Sequence, residues 1–165
     1  MIDTLRVLVT WDCNLRCSYC CNNIPAIRRN IVPTRLEDIC WDKYSAVCIS
    51  GGEPLLRPDL VLKVCNAAKG KKIILYTNGT FITKLHPVIL EEWGVSAINV
   101  GLHAKVHMED TILDVVEATE CTSLSIRFHV AEGYAHLQQR YPTLKFKVWK
   151  MNDCERDNED RVILI

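Results

Sequence analysis

Three cysteines stand close together in the segment WDCNLRCSYC: Cys13, Cys17 and Cys20. Gaps of three and then two residues put three thiolates on one tight loop, where they can grip three corners of a cube-shaped cluster. A tetrahedral zinc site wants a fourth ligand, usually from a second C-x-x-C or a closely spaced His pair. Cys40, Cys48, Cys65, Cys121 and Cys154 form no such knuckle. The spacing therefore favours a 4Fe-4S cluster with one open iron, and an open metal position is where a substrate or cofactor binds. A structural zinc or cluster module is the competing reading. Cys21 abuts the last ligand but points elsewhere on an extended chain, so it is read as a non-ligand. Cys40, Cys48, Cys65 and Cys121 lie in apolar stretches and read as small hydrophobes. Cys154 sits in a polar tail, where it is either a catalytic hydrogen-atom donor or simply exposed.

Something must hold that loop, and the hydrophobic pattern says what. Short β-rich runs at Leu5 to Thr10, Ala46 to Ser50, Lys72 to Thr77, Val95 to Leu102, Leu124 to Val130 and Leu144 to Trp149 alternate with helical patterns. The clearest helix is Pro58 to Lys69, with Leu60, Val61, Val64, Ala67 and Ala68 on one face and Gly70 at its end. Pro87 to Trp93 and Met108 to Thr119 are similar, while Thr34 to Trp41 and Glu132 to Arg140 are weaker. Strand, helix, strand in repetition implies a parallel sheet, because each crossover returns the chain to the same end. Six units are too few for a closed eight-stranded barrel and suit a partial one, an α/β partial (βα)6 barrel, with chemistry at the strand C-terminal ends. The cysteine loop directly follows the first strand. Gly51-Gly52-Glu53-Pro54 follows the second and Thr77-Asn78-Gly79 the third.

Those three marks together resemble the radical S-adenosylmethionine enzymes. The C-x-x-x-C-x-aromatic-C pattern, with Tyr19 as its aromatic, is similar to the family's cluster signature. GGEP resembles its GGE motif, and TNG is found at the third strand end in many members. The resemblance implies that Cys13, Cys17 and Cys20 hold the cluster and that the open iron chelates the amino and carboxylate groups of S-adenosyl-L-methionine. An electron from the cluster, supplied by an external donor such as flavodoxin or ferredoxin, would then break the sulfonium C–S bond and give a 5′-deoxyadenosyl radical. That radical would take a hydrogen atom from substrate.

On the residues themselves, Gly51 and Gly52 lack Cβ and let the backbone approach a ligand. Glu53 or the adjacent carbonyls can accept from an ammonium, and Pro54 stiffens the turn. The bland reading of GGEP is a strand-to-helix turn. Asn99, Gly101 and His103 close the fourth strand, where family members often place ribose or carboxylate contacts. Arg127 and His129 alternate on the fifth strand and face one side, either the barrel interior or a solvated face. Trp149, Lys150 and Met151 end the sixth, where the resemblance implies backbone contacts to adenine. Cys21-Asn22 stands where the related carboxydeazaguanine synthases carry a magnesium-binding Asp-Thr.

Composition limits the partners. The 165 residues carry 20 Lys plus Arg against 20 Asp plus Glu, which argues against a strongly basic nucleic-acid or membrane-surface binder. No apolar run has membrane-spanning length, and MIDTLRVLVT lacks the pattern of a signal peptide, so a cytoplasmic protein is expected. Residues 1–151 read as the core domain and 152–165 as a short tail that docks on the core or on a partner, with an apolar C-terminal packing strand at Val-Ile-Leu-Ile the favoured reading. With no cap over the barrel, its open side is expected to be closed by substrate, by a protein partner or by a second copy in a homodimer. Two substrate classes follow: a nucleoside- or nucleotide-like small molecule met by Arg28, Arg29 and Arg35, or a protein or peptide.

Overall fold

In the computed structural model, residues 3–18, 20–102, 108–120, 122–130, 135–148 and 159–165 are described. Eight strands form one sheet: β1 Thr4–Leu8, β2 Val32–Thr34, β3 Ala46–Ser50, β4 Lys72–Thr77, β5 Val95–Leu102, β6 Ser125–Val130, β7 Phe146–Val148 and β8 Glu159–Leu164. Their order across the sheet is β2-β8-β1-β3-β4-β5-β6-β7, and all seven pairings are parallel. Five α-helices accompany them: α1 Pro25–Arg29, α2 Pro58–Ala67, α3 Pro87–Glu92, α4 Met108–Thr119 and α5 Ala135–Arg140. This is an all-parallel α/β sheet with flanking helices, the open-barrel arrangement expected from the alternating pattern.

Residue alternation divides each strand between two jobs. Leu5 and Val7 of β1, Val47 and Ile49 of β3, Ile73 and Leu75 of β4, and Ile98 and Val100 of β5 are fully buried. They pack with Val61, Val64 and Cys65 of α2, Leu90 of α3, Ile112 and Val115 of α4 and Leu137 of α5 in one continuous core. The intervening positions, Arg6, Tyr76, Asn99, Gly101 and His129, line a cavity on the other face. A smaller cluster of Leu8, Ile27, Ile31 and Ile163 seats α1 beneath the cysteine loop.

Two strands go beyond the apolar runs of the sequence. β2 has only three residues, too few for a periodicity to register. β8 comes from the segment that reads as a tail, and it enters the sheet between β1 and β2. Thr4–Leu8 pairs with Glu159–Ile163 in unbroken parallel register. The weak helix at Thr34 to Trp41 is absent; two 3-10 turns, Leu36–Asp38 and Trp41–Lys43, stand there instead. Cys40, between them, is exposed, not a buried hydrophobe, whereas Cys48 and Cys65 are buried as expected. Among the described residues no helix is long and apolar enough to cross a membrane.

Candidate functional site

The cavity, about 220 Å³ in volume, opens at the C-terminal ends of the strands. Of the predicted site residues, Cys13, Cys17, Cys20, Gly51, Gly52, Thr77, Asn78, Asn99 and His129 all line it. Residues distant in sequence meet there because β1, β3, β4, β5 and β6 end on the same side of one sheet.

The cysteine loop is fastened to the GGEP turn by backbone. The Gly52 N–H donates to the Thr10 carbonyl at 2.8 Å, and the Glu53 N–H to the Asp12 carbonyl at 2.7 Å. A Cβ at Gly52 would stand 2.0 Å from the Asp12 oxygen, and one at Gly51, where φ is +140°, 2.4 Å from the Thr10 oxygen. The two glycines thus let β3's end and the loop lie against each other, a nearer reason for their presence than approach to a ligand. The Asn22 amide adds a side-chain tie, donating to the Gly51 carbonyl at 2.7 Å.

Glu53 has a different place from the one the sequence suggests. It is fully buried and outside the cavity lining. One carboxylate oxygen accepts from the Thr77 hydroxyl at 2.7 Å and the Leu55 N–H at 3.0 Å, the other from the Asn78 N–H at 2.7 Å. Burial pushes its carboxyl above the ordinary range, while the N–H groups of Asn78 and Leu55 and the Thr77 hydroxyl pull it back. Glu53 therefore joins the β3 turn to the end of β4. Pro54 is buried beside it. Arg127 of β6 is exposed and does not line the cavity, whereas His129, two residues on, does. Tyr19, His103 and Cys154, with Cys121 and residues 149–151, lie outside the described residues.

The three cysteine side chains suit a cluster. Burial raises the Cys17 thiol, and the nearby Cys20 and Cys13 raise it further, so the three sulfurs feel one another. Among the described residues no group of three His, Cys, Asp or Glu side chains is gathered as around a single ion. A cube takes one thiolate at each of three separate irons, the number of cysteines that this loop carries. Cys21 is disulfide-bonded, which takes its sulfur out of the ligand set.

The charged groups inside the barrel are the part of the site that sequence reasoning misses. Arg6 of β1 makes a bidentate pair with Glu159 of β8, at 2.9 and 3.1 Å. Arg161, two residues along the same strand, reaches the same carboxylate at 3.1 Å. Burial lowers the Arg6 guanidinium, but the bond and charge of Glu159 outweigh it and the net shift is upward. Burial raises Glu159, and the two guanidiniums overcome that and hold it below its ordinary 4.5. The Arg6 guanidinium lies 4.4 Å over the Tyr76 ring, and Tyr76 meets His129 edge to face at 6.1 Å. Arg6, Tyr76, His129, Lys147, Glu159 and Arg161 line the same cavity as the cysteines. A signal for Arg6 does exist: a charged residue at an alternate position of the apolar strand LRVLV. The arginines that the sequence offers as anion contacts are elsewhere. Arg35 pairs with Asp38 and Glu37 on the surface, and Arg28 stacks on Trp11.

Residues 7–105 match the family model for the Radical SAM superfamily. The chain belongs to that superfamily. Among relatives of this radical SAM chain, it is 34% identical over 110 residues to a probable GTP 3′,8-cyclase of Archaeoglobus fulgidus, covering 62% of this chain and 36% of the relative. It is 30% identical over 141 residues to the GTP 3′,8-cyclase of Helicobacter pylori, covering 73% and 43%. The chain thus spans less than half the length of either. Among solved structures, BtrN in complex with AdoMet and 2-DOIA matches with a TM-score of 0.51 at 22% identity, over 78% of this chain and 57% of BtrN. That likeness concerns the fold: BtrN shares the parallel sheet and helices on which this radical SAM chain builds its cavity.

Proposed function

We propose that the protein is a radical S-adenosylmethionine enzyme whose substrate is a nucleotide-like small molecule. The observation that carries this reading is one cavity lined by the three cysteines and by Arg6, Lys147 and Arg161, with Glu159 between the two arginines. Cys13, Cys17 and Cys20 would hold a 4Fe-4S cluster, which would supply the electron for reductive cleavage of S-adenosyl-L-methionine to methionine and a 5′-deoxyadenosyl radical. The chain's own residues do the rest. The GGEP turn and Asn22 hold the cysteine loop against the strand ends. Ser50, Gly51, Gly52, Thr77, Asn99 and Gly101 present short side chains and backbone polar groups to the cofactor. Guanidinium and ammonium donors in that cavity suit phosphate oxygens, Arg through paired N–H groups and Lys as a point charge.

The names of the GTP 3′,8-cyclases support the nucleotide class. A protein or peptide substrate is the alternative reading. An external donor, flavodoxin or ferredoxin, delivers the electron, and a second copy or another protein covers the open side of the sheet beyond β7. The reading places the protein in the cytoplasm.

The test follows deuterium from labelled substrates into 5′-deoxyadenosine with the reconstituted, reduced protein. Transfer from one nucleoside phosphate, weakened by Arg161→Ala through a raised KM, is expected. Transfer from a peptide and from none of the nucleotides would overturn the substrate class.

A further inference from the structure

Asn78 closes a ring of side chains around the first cysteine. The Thr80 N–H donates to Asn78 Oδ1 at 3.0 Å, and the Thr80 hydroxyl donates to the same oxygen at 2.6 Å. Asn14 Nδ2 donates to Thr80 Oγ1 at 2.8 Å. Asn78 Nδ2 in turn donates to Asn14 Oδ1 at 2.8 Å and lies 3.9 Å from Cys13 Sγ. The orientation of an amide is ordinarily ambiguous between its oxygen and nitrogen. Here the Thr80 backbone N–H settles it, because that group only donates and must face an oxygen. The amide nitrogen is thereby turned toward Cys13, with one of its two hydrogens taken by Asn14 and the other aimed at the sulfur. The Leu15 N–H, 3.4 Å from the same Sγ, makes Cys13 a sulfur with two donors.

We propose that Asn78 is a positioning residue that donates an N–H···S hydrogen bond to the Cys13 thiolate and so raises the reduction potential of the cluster. The proposal rests on the cluster reading given above. One-electron reduction adds negative charge to the cluster, part of it on the thiolate sulfurs, so a donor there stabilises the reduced form more than the oxidised one. The ring matters because a free asparagine would lose its amide to water, whereas this one is held by β4's end and the cysteine loop together. Asn78 thus acts through Cys13. That role is additional to its place in the cavity wall.

The test is a potentiometric titration of the reconstituted full chain with dithionite, followed by electron paramagnetic resonance, at matched iron content. Asn78→Leu is expected to move the midpoint to a more negative value. Asn78→Asp should move it further, because a carboxylate then stands where the N–H stood. Thr80→Val removes the hydroxyl but keeps the backbone N–H that orients the amide, so its shift should be the smallest. An unmoved midpoint in Asn78→Leu with a full cluster overturns this proposal alone; a wild-type chain that assembles no cluster overturns the cluster reading with it. Should every variant lose its cluster, the wild-type protein labelled with 15N in its asparagine amides decides. A hyperfine coupling of that nitrogen to the reduced cluster is expected, and its absence overturns the proposal.

Discussion

Two glutamates, one buried and one half-buried, divide the molecule. Glu53, at the end of β3, is surrounded by neutral donors: two backbone N–H groups and the Thr77 hydroxyl. Glu159, at the start of β8, is held by two guanidiniums. In both places a carboxylate joins segments that share no turn, but the means differ and so do the consequences. The first is a frame of local hydrogen bonds that fixes the cysteine loop. The second is an ion network that ties the last strand to the first and puts charge on the cavity wall.

That difference predicts a ranked set of responses. Glu159→Gln removes the carboxylate that Arg6 and Arg161 share, and breaking a buried pair in this way costs up to about 3–5 kcal/mol. A drop of that size in urea unfolding free energy is expected; a loss below about 1 kcal/mol would mean that solvent screens the network. Thr77→Val removes one donor from Glu53 and leaves two, for an expected loss of about 1–3 kcal/mol. Equal losses in the two variants would erase the contrast between the regions.

The smallest effect is in pH. Glu159 is held below its ordinary 4.5 in the folded chain, so its stabilisation is complete above that value and disappears as pH falls through the folded one. Glu53 is raised. Its burial therefore weakens the fold as pH rises from 4.5 through the folded value, the opposite sign. Urea midpoints taken from roughly pH 3 to 6 should show wild type and Glu159→Gln converging toward acid. Parallel curves would contradict the assignment.

The two regions also differ in how far they are legible in the sequence. Cys13, Cys17, Cys20, GGEP and TNG are contiguous motifs at strand ends, and six of the strands are visible as apolar runs in the chain itself. The cavity face of His129 follows from strand alternation, although Arg127, at the alternate position of the same strand, is exposed outside the cavity. Glu53 stands out in the GGEP motif, yet no sequence pattern tells whether a carboxylate faces a ligand or a set of buried donors. The ion network is hidden for another reason. Arg6 and Glu159 are brought together only by β8's insertion beside β1, and a parallel pairing between the two ends of the chain leaves no local signal. The apolar run Val162 to Ile165 predicts a packing strand, but not that it lies between β1 and β2.

The central claim is that this fold presents a cluster to S-adenosylmethionine, and it has a direct test. The chain is reconstituted anaerobically with iron and sulfide, reduced with dithionite and supplied with S-adenosylmethionine, and 5′-deoxyadenosine is measured. Product from the wild-type protein, with neither cluster nor product in Cys17→Ala, is the result predicted; an intact, reduced cluster that yields no 5′-deoxyadenosine would contradict it.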